Sequence, residues 1–278
     1  MSRFLSNSHT HSIYCDGKNK PEEMIAAAKA NGFVSLGFSG HGNPGFQSTW
    51  SMKPENQEKY IQHIRSLQPS CDGVRIWCGV ELDAMATPEA LEKVRGLDYR
   101  LGSMHYFYTD DNAPQADGDP DVLLKFRDEK FAGDGVALTQ HYYDLFVEFL
   151  NREKPEIIGH FDLIRKWALK KQLFDPECAA YRKIALDALE RAFPCGGVLE
   201  VNTGGIARGY IPDPYPTLEM LNAWREMGGK VTITSDCHDC TNLTCAFDMA
   251  YDMIKQAGFK SIYRLGAGDA LWDEIGVE

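Results

Sequence analysis

Val231-Thr232-Ile233-Thr234-Ser235-Asp236-Cys237-His238 is an apolar, β-branched run that stops on a carboxylate and an imidazole. A run of this kind has the composition of a buried parallel strand, which helices cover on both faces. Asp236 and His238 are spaced i, i+2, so on an extended backbone both side chains leave on the same side. The pattern recurs along the chain. Ser35-Leu36-Gly37-Phe38 runs into Ser39-Gly40-His41, and Val74-Arg75-Ile76-Trp77-Cys78-Gly79-Val80 ends on Glu81. His9-Thr10-His11, Ser103-Met104-His105 and Gly159-His160-Phe161-Asp162 each close another strand-like segment. These clusters hold all the histidines except His63 and His141, which lie in helical patterns and read as surface or packing residues.

Between the strand-like runs lie amphipathic segments punctuated by Pro and Gly. The order predicted is strand 4–9, helix 21–31, strand 34–39, helix 55–67, strand 74–81, helix 88–94 and strand 99–105. Helices 122–130 and 138–152 follow, then strand 156–160, helix 177–193, strand 197–202, helix 217–227, strand 229–235, helix 243–256 and a short strand near 261–263. Repeated strand-then-helix units imply parallel strands, and about this many favour a closed or nearly closed (β/α) barrel of class α/β. No linker or internal repeat divides the chain, and 278 residues suit one barrel domain. The acidic loop 109–121, with Asp110, Asp111, Asp117, Asp119 and Asp121, leaves directly from the His105 cluster. It reads as a lid or as a surface excursion.

Composition narrows the function. A net charge of -11 disfavours a nucleic-acid partner, which needs clustered Lys and Arg. No apolar run approaches the roughly 18 residues of a membrane helix. Met1-Ser2-Arg3-Phe4-Leu5-Ser6 lacks a secretory leader pattern, so a cytoplasmic protein is expected. The eight cysteines are scattered, as reduced thiols would be. Cys237-His238-Asp239-Cys240 has a C-x-x-C spacing, but the chain has no second such pair; Cys15 and Cys237 read as small buried fillers.

Imidazole and carboxylate are ligands that zinc, iron and manganese accept. A barrel gathers its strand ends at one face, so these groups are expected to converge on a multinuclear metal site. Glu81 at the end of an apolar strand would be costly unless paired with a cation, and a carboxylate can bridge two ions. Asp16 has two readings, a turn residue before Gly17 or a further ligand.

In their order, His9-Thr10-His11-Ser12, Ser39-Gly40-His41, Glu81, Gly102-Ser103-Met104-His105, Gly159-His160-Phe161-Asp162 and Ser235-Asp236-Cys237-His238 resemble the motifs of the PHP (polymerase and histidinol phosphatase) superfamily. Within it the chain is most similar to the monofunctional histidinol-phosphate phosphatases. The stretches that carry this are His11-Ser12-Ile13-Tyr14-Cys15-Asp16-Gly17, residues 159–166, and Glu200-Val201-Asn202-Thr203-Gly204-Gly205 with Arg208. The resemblance covers essentially the whole chain, residues 1–278, as one PHP domain. It implies a distorted (β/α)7 barrel with a trinuclear centre of divalent zinc, manganese or iron. Carried over by position, one ion takes His9, His11, Glu81 and Asp236; a second shares Glu81 and takes His105 and His160; a third takes His41, His238 and Asp16. Gly40 stands where the family commonly has Asp, and Asp16-Gly17 where some members have a further histidine.

The implied reaction is hydrolysis of a small phosphate monoester, L-histidinol phosphate, by metal-activated water in histidine biosynthesis. Asp236, His238, Arg165 and Arg208 belong to the catalytic set. Arg165 and Arg208, and after them Lys166, are candidates for holding the phosphate, with surface charge as the alternative for each. Tyr106, Phe107 and Tyr108 read either as a platform for the imidazole or as core. Three rivals are a phosphoesterase or nuclease acting on nucleotides or other small esters, an amidohydrolase, and a non-catalytic metal binder. The amidohydrolase expects a metal-bridging lysine for which the chain offers no strong candidate.

Overall fold

The computed structural model describes residues 4–70, 73–109 and 113–278. Met1–Arg3, Cys71, Asp110 and Asp111, on which some of the expectations above rest, lie outside the described residues. Seven strands form one parallel sheet in strict sequence order: β1 (Ser6–Asn7), β2 (Ser35–Phe38), β3 (Arg75–Asp83), β4 (Tyr99–Ser103), β5 (Ile157–Ile158), β6 (Val198–Asn202) and β7 (Val231–Thr234). The sheet curls into a nearly closed barrel. Past the end of β1, Thr10 bridges Cys237, through His11 N–H to the Cys237 carbonyl at 2.9 Å and Cys237 N–H to the His9 carbonyl at 3.0 Å.

Crossover helices cover the outside: α1 (Pro21–Ala30), α2 (Pro54–Leu67), α3 (Pro88–Glu92), α4 (Pro120–Phe131), α5 (Gly135–Glu153), α6 (Ala179–Ala192), α7 (Gly204–Ala207), α8 (Leu218–Glu226) and α9 (Phe247–Gln256). Proline opens α1 to α4, where its fixed φ fits and no amide donor is lost. Side chains of Thr87, Asp119 and Asp134 cap α3, α4 and α5. No helix among the described residues is long and apolar enough to cross a membrane.

The barrel interior is narrow, because Gly37 and Gly79 face the Tyr99 ring and a Cβ on either would overlap it. Trp77, Tyr99, Leu101, Ile157 and Leu265 form a separate buried cluster there. A terminal antiparallel hairpin, β8 (Ser261–Leu265) and β9 (Trp272–Gly276), closes the N-terminal end of the barrel. Trp77 Nε1–H donates to the Gly266 carbonyl at 2.9 Å and Ser35 Oγ–H to the Leu265 carbonyl at 2.6 Å. With the floor plugged, the polar chemistry is confined to the opposite face.

The predicted order of strands and helices holds, with shifted bounds. The strand expected over 4–9 is regular only over Ser6–Asn7, because the Asn7 side chain accepts the His9 N–H at 3.0 Å and takes it off the ladder. The helix expected from 243 begins at Phe247, after Ala246 adopts a left-handed φ of 53°. The sequence reading missed β9, an exposed strand with little alternation.

Candidate metal centre

Each candidate ligand sits at the C-terminal end of a strand or just beyond it. Glu81 lies within β3, and its backbone is bridged by His41, whose segment continues β2. His105 follows β4 and His160 follows β5. Asp236 follows β7 with a left-handed φ of 46°, a conformation that costs a non-glycine residue about 1–2 kcal/mol. Gly204 makes room for it, since a Cβ there would lie 2.7 Å from the Asp236 Cβ.

These groups converge at one mouth of the barrel, but in other sets than the resemblance implies: His9 with Glu81 and His160, His9 with His11 and Asp236, His41 with Glu81 and His105, and His11 with Asp16, His41 and His238. His9 Nε2 is 3.2 Å from Glu81 Oε2 and 3.6 Å from Asp236 Oδ1; His11 Nε2 is 3.3 Å from the same Asp236 oxygen. The other Glu81 oxygen lies 3.1 Å from His160 Nε2 and 3.5 Å from His105 Nε2. Asp16 Oδ2 is 3.2 Å from His238 Nε2, and Asp16 Oδ1 is 3.7 Å from His41 Nε2. His41 also turns Nδ1 to Glu81 Oε2 at 2.8 Å, so it stands between the third group and the second. His11 likewise offers Nε2 to Asp236 and Nδ1 to Asp16, the latter at 3.7 Å.

The electrostatics fit a cation at this point. Burial works against ionisation of Glu81, yet His41, His9 and His105 hold its carboxyl well below the usual range. Burial likewise opposes charge on Asp236, and Arg208 with His9 outweighs it. His9 is also desolvated, but Glu200, Glu81 and Asp236 raise its pKa well above the ordinary value. His105 rises to about 9 despite burial, through Glu81 and Asp83. His11 moves down, through burial and its neighbours His238 and His41. Among the described residues, His9 Nε2, His11 Nε2 and Glu81 Oε2 are buried without a hydrogen-bond partner, although they lie at the centre of the cluster. Buried polar atoms are ordinarily satisfied, and unsatisfied donors and acceptors aimed at a common point suit ligation.

Orienting carboxylates surround the ligands. Buried Glu200 accepts from His9 Nδ1 at 2.5 Å, Thr234 Oγ1 at 2.6 Å, His160 N–H at 2.7 Å and Asn202 Nδ2 at 3.0 Å. Asp83 accepts the His105 backbone N–H at 2.9 Å and faces its Nδ1 at 3.2 Å. Neither was singled out as a site residue from the sequence. The available signal for Asp83 is its i+2 spacing from Glu81 on one strand; Glu200 is a carboxylate inside an apolar run. In Glu200→Gln the amide NH2 would meet groups that themselves donate. This variant is expected to fold and to bind zinc about 10- to 100-fold more weakly, measured by competition with a chromophoric chelator.

Above the cluster opens a cavity of about 340 Å³. Asp16, His41, His105, His160, Asp236 and His238 form its floor; Trp50, Gln115, Asp117, Gly118, Leu163, Lys166, Arg208 and Tyr210 form its walls. Arg208 donates to Asp236 Oδ2 at 2.7 Å and stands 3.2 Å from His238 Nδ1. Lys166 Nζ lies over the Tyr210 ring at 4.1 Å and donates to the Asp117 carbonyl at 2.6 Å. Arg165, expected beside them, is absent from the lining. Its guanidinium is committed to Asp162 at 2.6 Å, Asp213 at 3.3 Å and the Pro214 carbonyl at 3.2 Å. The reason is Asp162, which is fully buried and needs a cation.

Of the two readings of the aromatic run, core packing describes Phe107. Phe107 is core against Phe126 and Tyr142, Tyr106 stacks behind Trp50 at 5.2 Å, and Trp50, with Tyr210, faces the cavity. His63 pairs with Tyr14 and Glu22, and His141 packs on Phe107 and Phe131, both off the site. The Cys237 thiol donates to the Asp239 carbonyl, and the cysteines among the described residues are free thiols.

The chain is 24% identical, over 95% of its length and 89% of the relative's, to a Schizosaccharomyces pombe protein named "Probable histidinol-phosphatase". It is 25% identical to the histidinol-phosphatase of Bacillus subtilis, over 87% of its length and 96% of that protein's. Its fold matches the crystal structure of histidinol phosphate phosphatase from Lactococcus lactis in complex with zinc, L-histidinol and phosphate. That match has a TM-score of 0.68 and 19% identity, and it covers 94% of this chain and 97% of the other. Residues 7–204, well over half of the chain and including every candidate ligand except Asp236 and His238, match the PHP domain, and the chain therefore belongs to the PHP family.

Proposed function

We propose that this chain is a metal-dependent phosphatase that hydrolyses L-histidinol phosphate to L-histidinol and phosphate in histidine biosynthesis. The observation that carries the reading is the set of unpartnered buried ligand atoms lying beneath a cavity that also presents Arg208 and Lys166. A mixed imidazole–carboxylate floor with cationic walls suits a phosphate ester. The Lactococcus lactis relative holds zinc, L-histidinol and phosphate, and the curated relatives carry the same activity in their names. The reading takes residues 1–278 as one domain, since Asp236, His238 and the hairpin that plugs the barrel all come from beyond residue 204. Free, scattered thiols fit a cytoplasmic enzyme.

Divided as the resemblance implies, His9, His11, Glu81 and Asp236 would hold one divalent ion, Glu81 with His105 and His160 a second, and His41, His238 and Asp16 a third; His11 also lies within reach of the third group, and His41 of Glu81 and His105. Bound ions of this kind supply Lewis-acid stabilisation of the phosphoryl oxygens and activation of water near neutral pH. The chain's own residues do the rest. Glu200 fixes the ring of His9 and the backbone of His160, and Asp83 fixes His105. Arg208 holds the second oxygen of Asp236 while keeping part of its guanidinium exposed to the cavity, where it can meet phosphate. Lys166 adds charge from the cavity wall, beside Tyr210. Trp50 offers a flat apolar face for an imidazole.

The test is phosphate release by the zinc-loaded protein from L-histidinol phosphate and from a panel of nucleoside monophosphates and sugar phosphates, with metal content measured on the same sample. L-Histidinol phosphate is expected to give the highest kcat/KM by at least about 10², a range that pocket contacts to polar substrate groups supply. A nucleotide preferred over it would replace the substrate assignment while keeping the phosphatase.

A further inference from the structure

The cavity wall carries one carboxylate that the candidate ligand set does not use. Asp117 stands on the returning arm of a short hairpin in which Tyr106 bridges Gln115 and Ala116 N–H donates to the His105 carbonyl at 2.7 Å. That hairpin ties the described part of the 109–121 loop to the strand end bearing His105, so Asp117 is placed by backbone pairing. Its side chain is 29% exposed and faces the cavity. The other carboxylates in the lining are committed. Asp236 turns Oδ2 to Arg208 and Oδ1 to His9 and His11, and Asp16 faces His238 and His41.

Asp117 differs from both. Among the described residues its carboxylate has one hydrogen-bond partner, the Lys166 ammonium at 3.5 Å, while His105, His160 and Arg208 act on it from farther off. The stronger contact of that ammonium is the Asp117 main-chain carbonyl at 2.6 Å, and the Tyr210 ring holds it from the other side at 4.1 Å. Lys166 is therefore anchored by backbone and ring, and the carboxylate keeps capacity for a second cation from the cavity. A carboxylate in the wall of a phosphate site is unfavourable for a purely anionic ester. It becomes favourable for an ester that carries its own cation close to the phosphate.

We propose that Asp117 is the specificity-determining residue that pairs with the ammonium of a 2-aminoalkyl phosphate, the class in which the carbon beside the ester carbon bears the amine. The inference rests on the phosphatase reading above and deepens it. When a substrate without the amine fills the cavity, Asp117 loses water and gains no partner, which penalises that substrate.

The experiment compares kcat/KM of the zinc-loaded enzyme for L-histidinol phosphate and for 3-(imidazol-4-yl)propyl phosphate, the same ester without the amine. The wild type is expected to prefer the amine by on the order of 10²-fold, the range for a desolvated charge pair. In Asp117→Asn that preference should collapse toward unity, chiefly through KM for the amine. Asp117→Glu, which keeps the charge, should restore much of it. Loss of both activities in parallel with the ratio preserved, or an unaltered ratio in the variant, would overturn the assignment and leave the phosphatase reading standing. A wild type that hydrolyses neither ester but hydrolyses another phosphomonoester overturns the substrate assignment and the role of Asp117 together, while keeping the phosphatase.

Discussion

Purified Glu81→Gln is expected to retain its barrel and to lose at least about 10³ in kcat/KM, together with most of its bound zinc. Glu81 is the residue with most at stake because its two oxygens face different histidines. Oε2 lies near His9, His11 and His41, and Oε1 near His105 and His160. The carboxylate is 1% exposed and ionised, so it offers charge to two ligand groups at once. An amide supplies one neutral acceptor, and its NH2 points toward the space a cation would take. Metal analysis after desalting and a phosphate-release assay check both halves. A variant with full zinc content and near wild-type turnover would remove Glu81 from the centre.

Arg208→Ala carries the second large effect, a fall in kcat/KM of about 10² to 10³, the range seen when a preorganised charge-stabilising donor is removed. Burial disfavours charge on Arg208, but Asp236 raises its pKa, so it stays cationic at every working pH. Its fork is shared between Asp236 and the cavity. Arg208→Lys keeps the charge without the paired donors and should recover only part of the loss. Inhibition by inorganic phosphate separates the roles: it should weaken in Arg208→Ala while zinc content stays close to that of the wild type. Unchanged inhibition would take Arg208 out of the phosphate site and leave it as a support for Asp236.

Much of this was legible in the residues. Strand-like runs closed by His or by a ligand-spaced pair, separated by Pro-opened helices, required parallel strands and a common polar face. Local propensity sufficed because such strands are buried on both faces and their composition says so. The i, i+2 pair His9/His11 could be read because extended backbone alone puts alternate side chains on one side; Asp236 and His238 meet instead across a left-handed residue, Asp236 itself. Less was legible where a residue's role depends on its partner. Arg165 and Arg208 look alike in the chain, yet buried Asp162 consumes the first and the second reaches the cavity. Trp50 lies in a loop without motif, and nothing local announces that it faces the ligands; Asp117 lies in the acidic loop leaving the His105 cluster, but nothing local separates it from the loop's other aspartates.

The order of strands, helices and ligand clusters, and hence a barrel with metal-binding groups at one mouth, followed from the sequence by itself. Those features are periodic, and periodicity is written in neighbouring residues. Tertiary structure alone decided which cation meets the cavity, which carboxylates orient the histidines and which close the wall. Such assignments depend on contacts between positions far apart in the chain, such as Glu200 with His9, and no local pattern encodes a distance across a barrel.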